Sequence, residues 1–341
     1  MPDFTAREGG APRSGASPDR AQGAASANPA QDARVSGSEN EGRQWLRACS
    51  LIVGPDSGEG LELSALRITF ATKKGDTETP NSAEINVYNL SDDTAAKIRR
   101  EFTQVNLAAG YEGNLGTIFR GNIRQVRLWR ENGVDTVLAI LAADGDRAYN
   151  FATVNTTLAA GSRPADRVRV CQGSMGAKGA KPGYTPDLGG QPLPRGKVMY
   201  GMAREYMRDE ARDTDTDWSI QDGKVQMVPR KGYLPGEAVV LTHETGLVGS
   251  PEQTQDGITV RCLLNPRLAV GGRIKLDNAQ VKAMQSPLKQ AAGQQAPRMD
   301  ADGFYRILKV EFRGDTRGND WYADLVCIGI DDTAKLPMDA L

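Results

Sequence analysis

The chain has 341 residues, with Lys+Arg 42 against Asp+Glu 43, a single histidine and four cysteines. That length accommodates two compact domains and a small third. Near-neutral charge without a long single-sign run leaves no electrostatic footprint for nucleic acid or a membrane surface. The lone histidine, His243, sits in Leu241-Thr242-His243-Glu244-Thr245-Gly246, a strand end entering a turn. Ser/His/Asp and Cys/His constellations are therefore excluded everywhere else.

Cys49, Cys171, Cys262 and Cys327 are far apart in sequence, unlike the short paired spacings of a zinc site or a dense disulfide scaffold. Cys262 and Cys327 lie in apolar strand-like runs, where cysteine acts as a small hydrophobe, and a reducing cytoplasm is the expected compartment. The N-terminus lacks a basic region followed by an apolar core, and no stretch approaches the ~20 apolar residues of a membrane-spanning helix. No catalytic, cofactor-binding or metal-ligating residue is expected, and no cofactor. Carboxylates are plentiful, but nothing in the sequence pairs two of them for glycosidase chemistry.

Residues 1–43 are almost entirely Ala, Gly, Ser, Pro, Asp, Arg and Asn. Such a segment buries too little surface to offset its ordering entropy. The expectation is a flexible arm over 1–44, ordered only when docked in an assembled particle, with Phe4 and Val35 as anchors. A first β unit is expected over 45–150. Leu66–Phe70 and Ala83–Tyr88 alternate apolar and polar residues, the period of a half-buried strand. Ser91 reads as an N-cap, with Asp92 and Asp93 in the first turn and Lys97, Arg99 and Arg100 in the last, which predicts a helix over 92–101. Val105–Tyr111, Thr117–Trp129 and Thr136–Ala142 read as strands, with Asn132-Gly133 as a hairpin turn between the last two.

Residues 151–235 change texture and read as linker, helices and a small α/β insert. A helix is expected over 164–172, with Pro164 just inside its start, then a long loop over Gly173–Arg195. A second helix is expected over 197–212, with Val198, Met202 and Tyr206 along one face. Trp218–Gln221, the Asp222-Gly223 turn and Lys224–Val228 make a two-residue hairpin. The second β unit, 236–341, has strands at Ala238–Thr242, Thr259–Leu264, Arg273–Leu276, Tyr305–Phe312 and Trp321–Ile330. A polar Gln- and Ala-rich loop is expected between Leu276 and Tyr305. Trp321 and Tyr322 should face opposite sides of their strand. The fold class is mainly β with a small α/β insert and two small β-barrel-like domains.

A strand, Gly-Asp-Thr and a second strand occur twice, around Gly75-Asp76-Thr77 and Gly314-Asp315-Thr316. If the two units are copies of one β fold, three subunits would present six near-equivalent positions, matching a threefold object to a sixfold one.

Two stretches carry a resemblance. One is Gly246-Leu247-Val248-Gly249-Ser250-Pro251-Glu252-Gln253, continued by Gly257 to Leu268 and Gly271-Gly272. The other is Gly314-Asp315-Thr316-Arg317-Gly318 with Trp321-Tyr322 and Asp324. Val87-Tyr88-Asn89-Leu90-Ser91, Ala109-Gly110-Tyr111 and Ile118-Phe119-Arg120-Gly121 add to it. Together, over roughly 45–332, they resemble the baseplate (tail) hub proteins of tailed bacteriophages. Without the resemblance, the same residues read as turn chemistry: Pro266 ends a strand and Gly271-Gly272 permits the next turn.

The resemblance implies a non-enzymatic structural hub, a homotrimeric ring joining the sixfold tail tube to the threefold central spike and allowing genome passage. The implied partners are further copies of the chain, a tail spike or needle, a distal tail tube protein, a tape-measure protein and other baseplate proteins. Genome DNA would pass the lumen without specific binding, and no membrane anchor is implied. The implied location is the virion tail, assembled in the bacterial host cytoplasm. Two alternatives remain at the sequence level: a tail-associated cell-wall hydrolase, for which no spare domain-sized segment exists, and a host-surface-binding tail module, for which 6% scattered aromatics are few.

Overall fold

The computed structural model describes residues 44–56, 59–254, 257–281 and 302–330. The expected N-terminal arm and its anchors Phe4 and Val35, and most of the Gln/Ala-rich loop, lie outside the described residues. In the first β unit the strands are β1 (Arg47–Gly54), β2 (Leu61–Glu62), β3 (Ile68–Gly75) and β4 (Ser82–Tyr88). Helix α1 (Asp92–Glu101) comes next, then β5 (Gln104–Tyr111), β6 (Asn114–Glu131) and β7 (Asp135–Ala143). Helix α1 forms as its sequence predicts. The Ser91 hydroxyl accepts from the Thr94 N–H, acids occupy the first turn and bases the last, and Ala95 and Ile98 face the core. Asn132 and Gly133 turn the chain with φ of 51° and 73°.

The insert comprises α2 (Asp146–Phe151), β8 (Thr153–Leu158), α3 (Pro164–Gly176), β9 (Lys181–Pro182), β10 (Lys197–Met202), α4 (Ala203–Asp213), β11 (Thr216–Gln221) and β12 (Lys224–Pro229). The helix expected over 197–212 is a strand and then a helix. Residues 197–202 pair antiparallel with β8, Lys197 opposite Leu158 and Met202 opposite Thr153. Met199 is buried while Val198 and Tyr200 are exposed, a period of two that rules out a helical face through Val198. Helix α3 runs on past residue 172 to Gly176. Within the stretch expected to be loop, Lys181–Pro182 pairs parallel with β12.

The second β unit contains β13 (Val239–Val240), β14 (Leu247–Thr254), β15 (Gly257–Leu263), β16 (Arg273–Lys275), β17 (Phe304–Asp315) and β18 (Trp321–Gly329). The fold is mainly β with a few helices, as expected. One continuous sheet runs β14-β15-β18-β17-β3-β4-β7-β6-β5-β1-β2, with β16 on β17 and β13 on β16. The two β units therefore meet edge to edge through the antiparallel pairing of β3 with β17.

That pairing has local twofold symmetry about Thr72 and Phe312, which face each other: Gly75 faces Lys309 as Thr69 faces Asp315. The flanking hairpins keep one register. Thr72 faces Ala83 and Lys73 faces Ser82, while Phe312 faces Ala323 and Arg313 faces Tyr322. On the far side of each hairpin another strand pair continues the sheet, β7-β6 in one half and β15-β14 in the other. In chain order these pairs are permuted, since β6 and β7 come after the first hairpin whereas β14 and β15 precede the second.

One hydrophobic core runs beneath both β units, from Leu51, Ile85 and Phe119 to Val260, Phe312 and Leu325. Trp321 is buried with its ring edge-on to Phe70 at 5.5 Å, and its indole N–H donates to Gly110 O at 3.1 Å. Tyr322, its neighbour on the opposite face, is half-buried. The insert has a core of its own around Met175, Met199, Met207, Trp218 and Met227.

Candidate assembly surfaces and the joint that sets them

Two separate cores need a connection, and here it is polar. The β11–β12 hairpin turns at Asp222-Gly223, both residues with positive φ, and its tip sits on the end of the first β unit. Asp144, fully buried where β7 ends, accepts the backbone N–H groups of Asp222 at 2.5 Å and Gly223 at 2.8 Å. Buried Lys74 reaches from β3 to Asp222 at 2.6 Å and to Ile118 O at 3.3 Å. The Asn81 amide donates to Ile220 O and Gln221 Oε1, each at 2.9 Å, and Gln221 donates to Gly75 O at 2.7 Å. Gly145 fits here because it has φ +63° and because a Cβ would lie 2.6 Å from Ile220.

Arg306 holds the other end of the hairpin. Its guanidinium, only 2% exposed, donates to Pro229 O at 2.7 Å and Arg230 O at 3.0 Å. It also pairs with Asp76 at 3.2 Å and Asp217 at 3.5 Å. Arg230 meets Asp217 at 3.1 Å. Burial raises the carboxyl of Asp76 to about 6 against the pull of Arg306, with Asp217 adding to the rise. Burial, with Asp222 nearby, raises Asp144 to about 7 against its N–H donors and Lys74. At the rim, Arg208 on α4 holds both oxygens of Glu78 at 2.9 Å. The geometry fixes the insert on the sheet at both ends of one hairpin.

Most polar atoms of these groups are occupied with one another, while Arg306 Nε and Asp222 Oδ1 are buried without a hydrogen-bond partner among the described residues. Asp144 spends its acceptors on backbone N–H groups, and Asp76 and Asp217 flank one guanidinium. His243 is exposed within a turn that the Thr242 and Thr245 hydroxyls hold together. Burial pushes the Cys49, Cys171 and Cys262 thiols up to about 12, and Cys327 well above its ordinary value. Among the described residues no group of three or more His, Cys, Asp or Glu side chains could hold a metal ion, and no helix is long and apolar enough to cross a membrane. A cavity of about 420 Å³ beside the β3–β4 turn is lined by Lys73, Asp76, Asn81, Lys309 and Glu311 among others.

The outward surfaces are more distinctive. Beyond Asn122, where β5 stops pairing, the β6–β7 hairpin continues as an arm. From Arg124 to Val134 every residue except Val126 is exposed, including Leu128 and Trp129, each at 42%, and Val134 at 83%. The insert presents the two-stranded β8–β10 ribbon, whose outer face carries Val198, Tyr200, Thr157 and Asn155. Phe151 is exposed at its base. Sequence reasoning placed Trp129 at a strand end without singling it out. The signal was the adjacency of Leu128 and Trp129 between arginines, which no half-buried alternation accommodates.

No protein-family model matches the sequence, and no curated protein matches it. Solved structures do match its fold. A 43 kDa tail protein of prophage MuSo2 from Shewanella oneidensis superposes with a TM-score of 0.53 at 8% identity, covering 85% of this chain and 99% of that one. A tail protein from Neisseria meningitidis MC58 gives a TM-score of 0.51 at 10% identity, covering 85% and 98%. The chain thus has the mainly β fold of these tail proteins over almost their whole length.

Proposed function

We propose that this chain is a structural subunit of a phage-type tail, a hub whose three copies form a ring between a sixfold tube and a threefold spike. The observation that carries this reading is the near-complete two-way coverage of two tail proteins. Two β units in each chain are compatible with the symmetry step, since three chains then bring six β units to a sixfold tube. In this reading the joint at Asp144 and Arg306 is a structural clamp rather than an active centre. The partners are other copies of the chain, a spike, a tube protein and a tape-measure protein, with genome DNA passing through without specific contacts.

Mass photometry and negative-stain microscopy of the purified chain test the reading. The expected particle has three times the 36.7 kDa chain mass and threefold symmetry. A chain that stays monomeric at every concentration, and is single-copy in an assembled tail, refutes it.

A further inference from the structure

A carboxyl buried between two cores is unfavourable unless a cation or a proton meets its charge. Asp144 is fully buried where the chain crosses from the sheet to the insert, one residue before the left-handed Gly145. It grips the insert through the backbone N–H groups of Asp222 and Gly223. Among the described residues no cation is in contact with it. Lys74, itself only 5% exposed, directs its ammonium to Asp222 at 2.6 Å and to Ile118 O at 3.3 Å. The other end of the hairpin differs, since Asp76 has Arg306 at 3.2 Å.

The tip thus gathers two carboxyls and one ammonium, which leaves one negative charge unmatched. The other charged groups around it are paired or solvated. Arg124 pairs with Asp146 at 3.4 Å, and Arg147 with Asp56. Lys224 on the hairpin and Lys181 on β9 beside it are exposed. Asp222 carries an independent mark of a missing donor. Its Oδ2 takes Lys74, while its Oδ1 is buried with no hydrogen-bond partner among the described residues. The two N–H groups favour a charged Asp144, but burial and Asp222 outweigh them and raise the carboxyl to about 7.

We propose that this contact is a proton-operated latch between the sheet and the insert. Asp144 takes up one proton from solvent as it receives the Asp222-Gly223 turn and donates the resulting O–H to Asp222 Oδ1; when the proton leaves, the turn is released. The protonated oxygen still accepts a backbone N–H, so both existing contacts persist. The docked carboxyl holds its proton more tightly than the free one. The latch is therefore strongest below the ordinary carboxyl value of 3.8, weakens by about tenfold per pH unit above it, and levels off past about 7.

Hydrogen exchange of the full-length chain reads the latch, because the Asp222 and Gly223 amides form its two bonds. Protection of this turn, corrected for intrinsic exchange, should fall by about tenfold per unit from pH 5 to 7 in the parent, while the β3–β17 pair stays protected. Asp222→Asn keeps the turn, since asparagine tolerates the φ of 52°. It removes one carboxyl, frees Lys74 and offers Asp144 a fixed amide donor, so the turn should stay protected across the same range. Infrared difference spectra of the parent should show a protonated-carboxyl band at pH 6 that is lost by pH 8 and is diminished in Asp144→Asn. Equal protection of the parent turn from pH 5 to 8 overturns the latch. So does an Asp222→Asn chain with the parent's slope, or a carboxyl band that Asp144→Asn leaves unchanged.

Discussion

Replacing Arg306 by methionine keeps most of the side-chain volume and removes the charge that closes the joint. Four acceptors lose one donor each: the carbonyls of Pro229, which keeps the Gly232 N–H, and Arg230, and the carboxylates of Asp76 and Asp217. Breaking a buried pair by removing one partner costs about 3–5 kcal/mol. Asp217 is 23% exposed and keeps Arg230, so the lower end, about 3 kcal/mol, is the reasoned figure. Asp76, already raised to about 6, loses the cation that opposed the rise and takes up a proton nearer neutrality. Two cores make separate transitions natural. Urea unfolding monitored by tryptophan emission reports both, through buried Trp218 in the insert and Trp321 under the sheet. The insert transition should move to lower urea while the sheet transition moves less. Arg306→Lys should recover part of the loss, since an amine retains the charge without the planar fork. A loss below about 1 kcal/mol for Arg306→Met refutes the claim that this residue holds the joint.

Three further outcomes are expected. Folding raises Asp144 to about 7 and Asp76 to about 6 from an ordinary value of 3.8, so the folded chain binds those protons more tightly than the unfolded chain. Their contribution is favourable at low pH and is lost as pH rises from about 4 to 7; the urea midpoint of the insert should fall across that window, less steeply in Asp144→Asn, and a rise there contradicts the assignment. In Gly314→Ala the new Cβ runs into the Phe70 ring and lies 2.9 Å from Trp321, and with Trp321 tethered to Gly110 the expected loss is about 1–3 kcal/mol, refuted by an unchanged Tm. Thiol titration of the native chain at pH 8 should find no fast-reacting cysteine, because burial raises all four thiols, and one rapid equivalent contradicts this.

Local chemistry was legible where a single residue type decides the backbone. Ser91 with its flanking charges set α1, and Asn132-Gly133 and Asp222-Gly223 set two turns, because caps and left-handed turns depend on few neighbours. Ambiguity arose where one apolar pattern satisfies two periods. Val198, Met202 and Tyr206 fit a helix stripe, yet Val198 and Met202 also sit on alternate positions of a strand, and pairing with β8 decided between them. The repeat was visible but misaligned. β3 ends at Gly75 whereas β17 ends at Asp315, so the two Gly-Asp-Thr triplets are offset by one residue from the structural equivalence. The likeness lies in register, which pairing partners fix and composition does not carry.

The joint was the least legible part, for a physical reason. Tyr305, Arg306, Ile307 and Leu308 are all buried although strand alternation would expose two of them, because β17 carries a bulge between Ile307 and Lys309 and the insert covers its other face. Read from sequence alone, an arginine in a strand belongs to solvent. The burial of Arg306 comes from Asp76, Asp217 and two carbonyls arriving from elements 76 to 230 residues away. Asp144 likewise reads as an ordinary strand-ending acid until the Asp222-Gly223 turn supplies two N–H groups above it. Polar groups inside a protein are retained where partners converge on them, and convergence is a property of the fold. The exposed arm is the opposite case. Its arginines and tryptophan were plain in the sequence, but their isolation from the sheet required knowing that the β5 pairing stops at Gln104 opposite Asn122. The joint decides where the insert sits on the sheet: Asp144 and Arg306 hold the two ends of the β11–β12 hairpin, and Arg208 on Glu78 ties α4 to the rim.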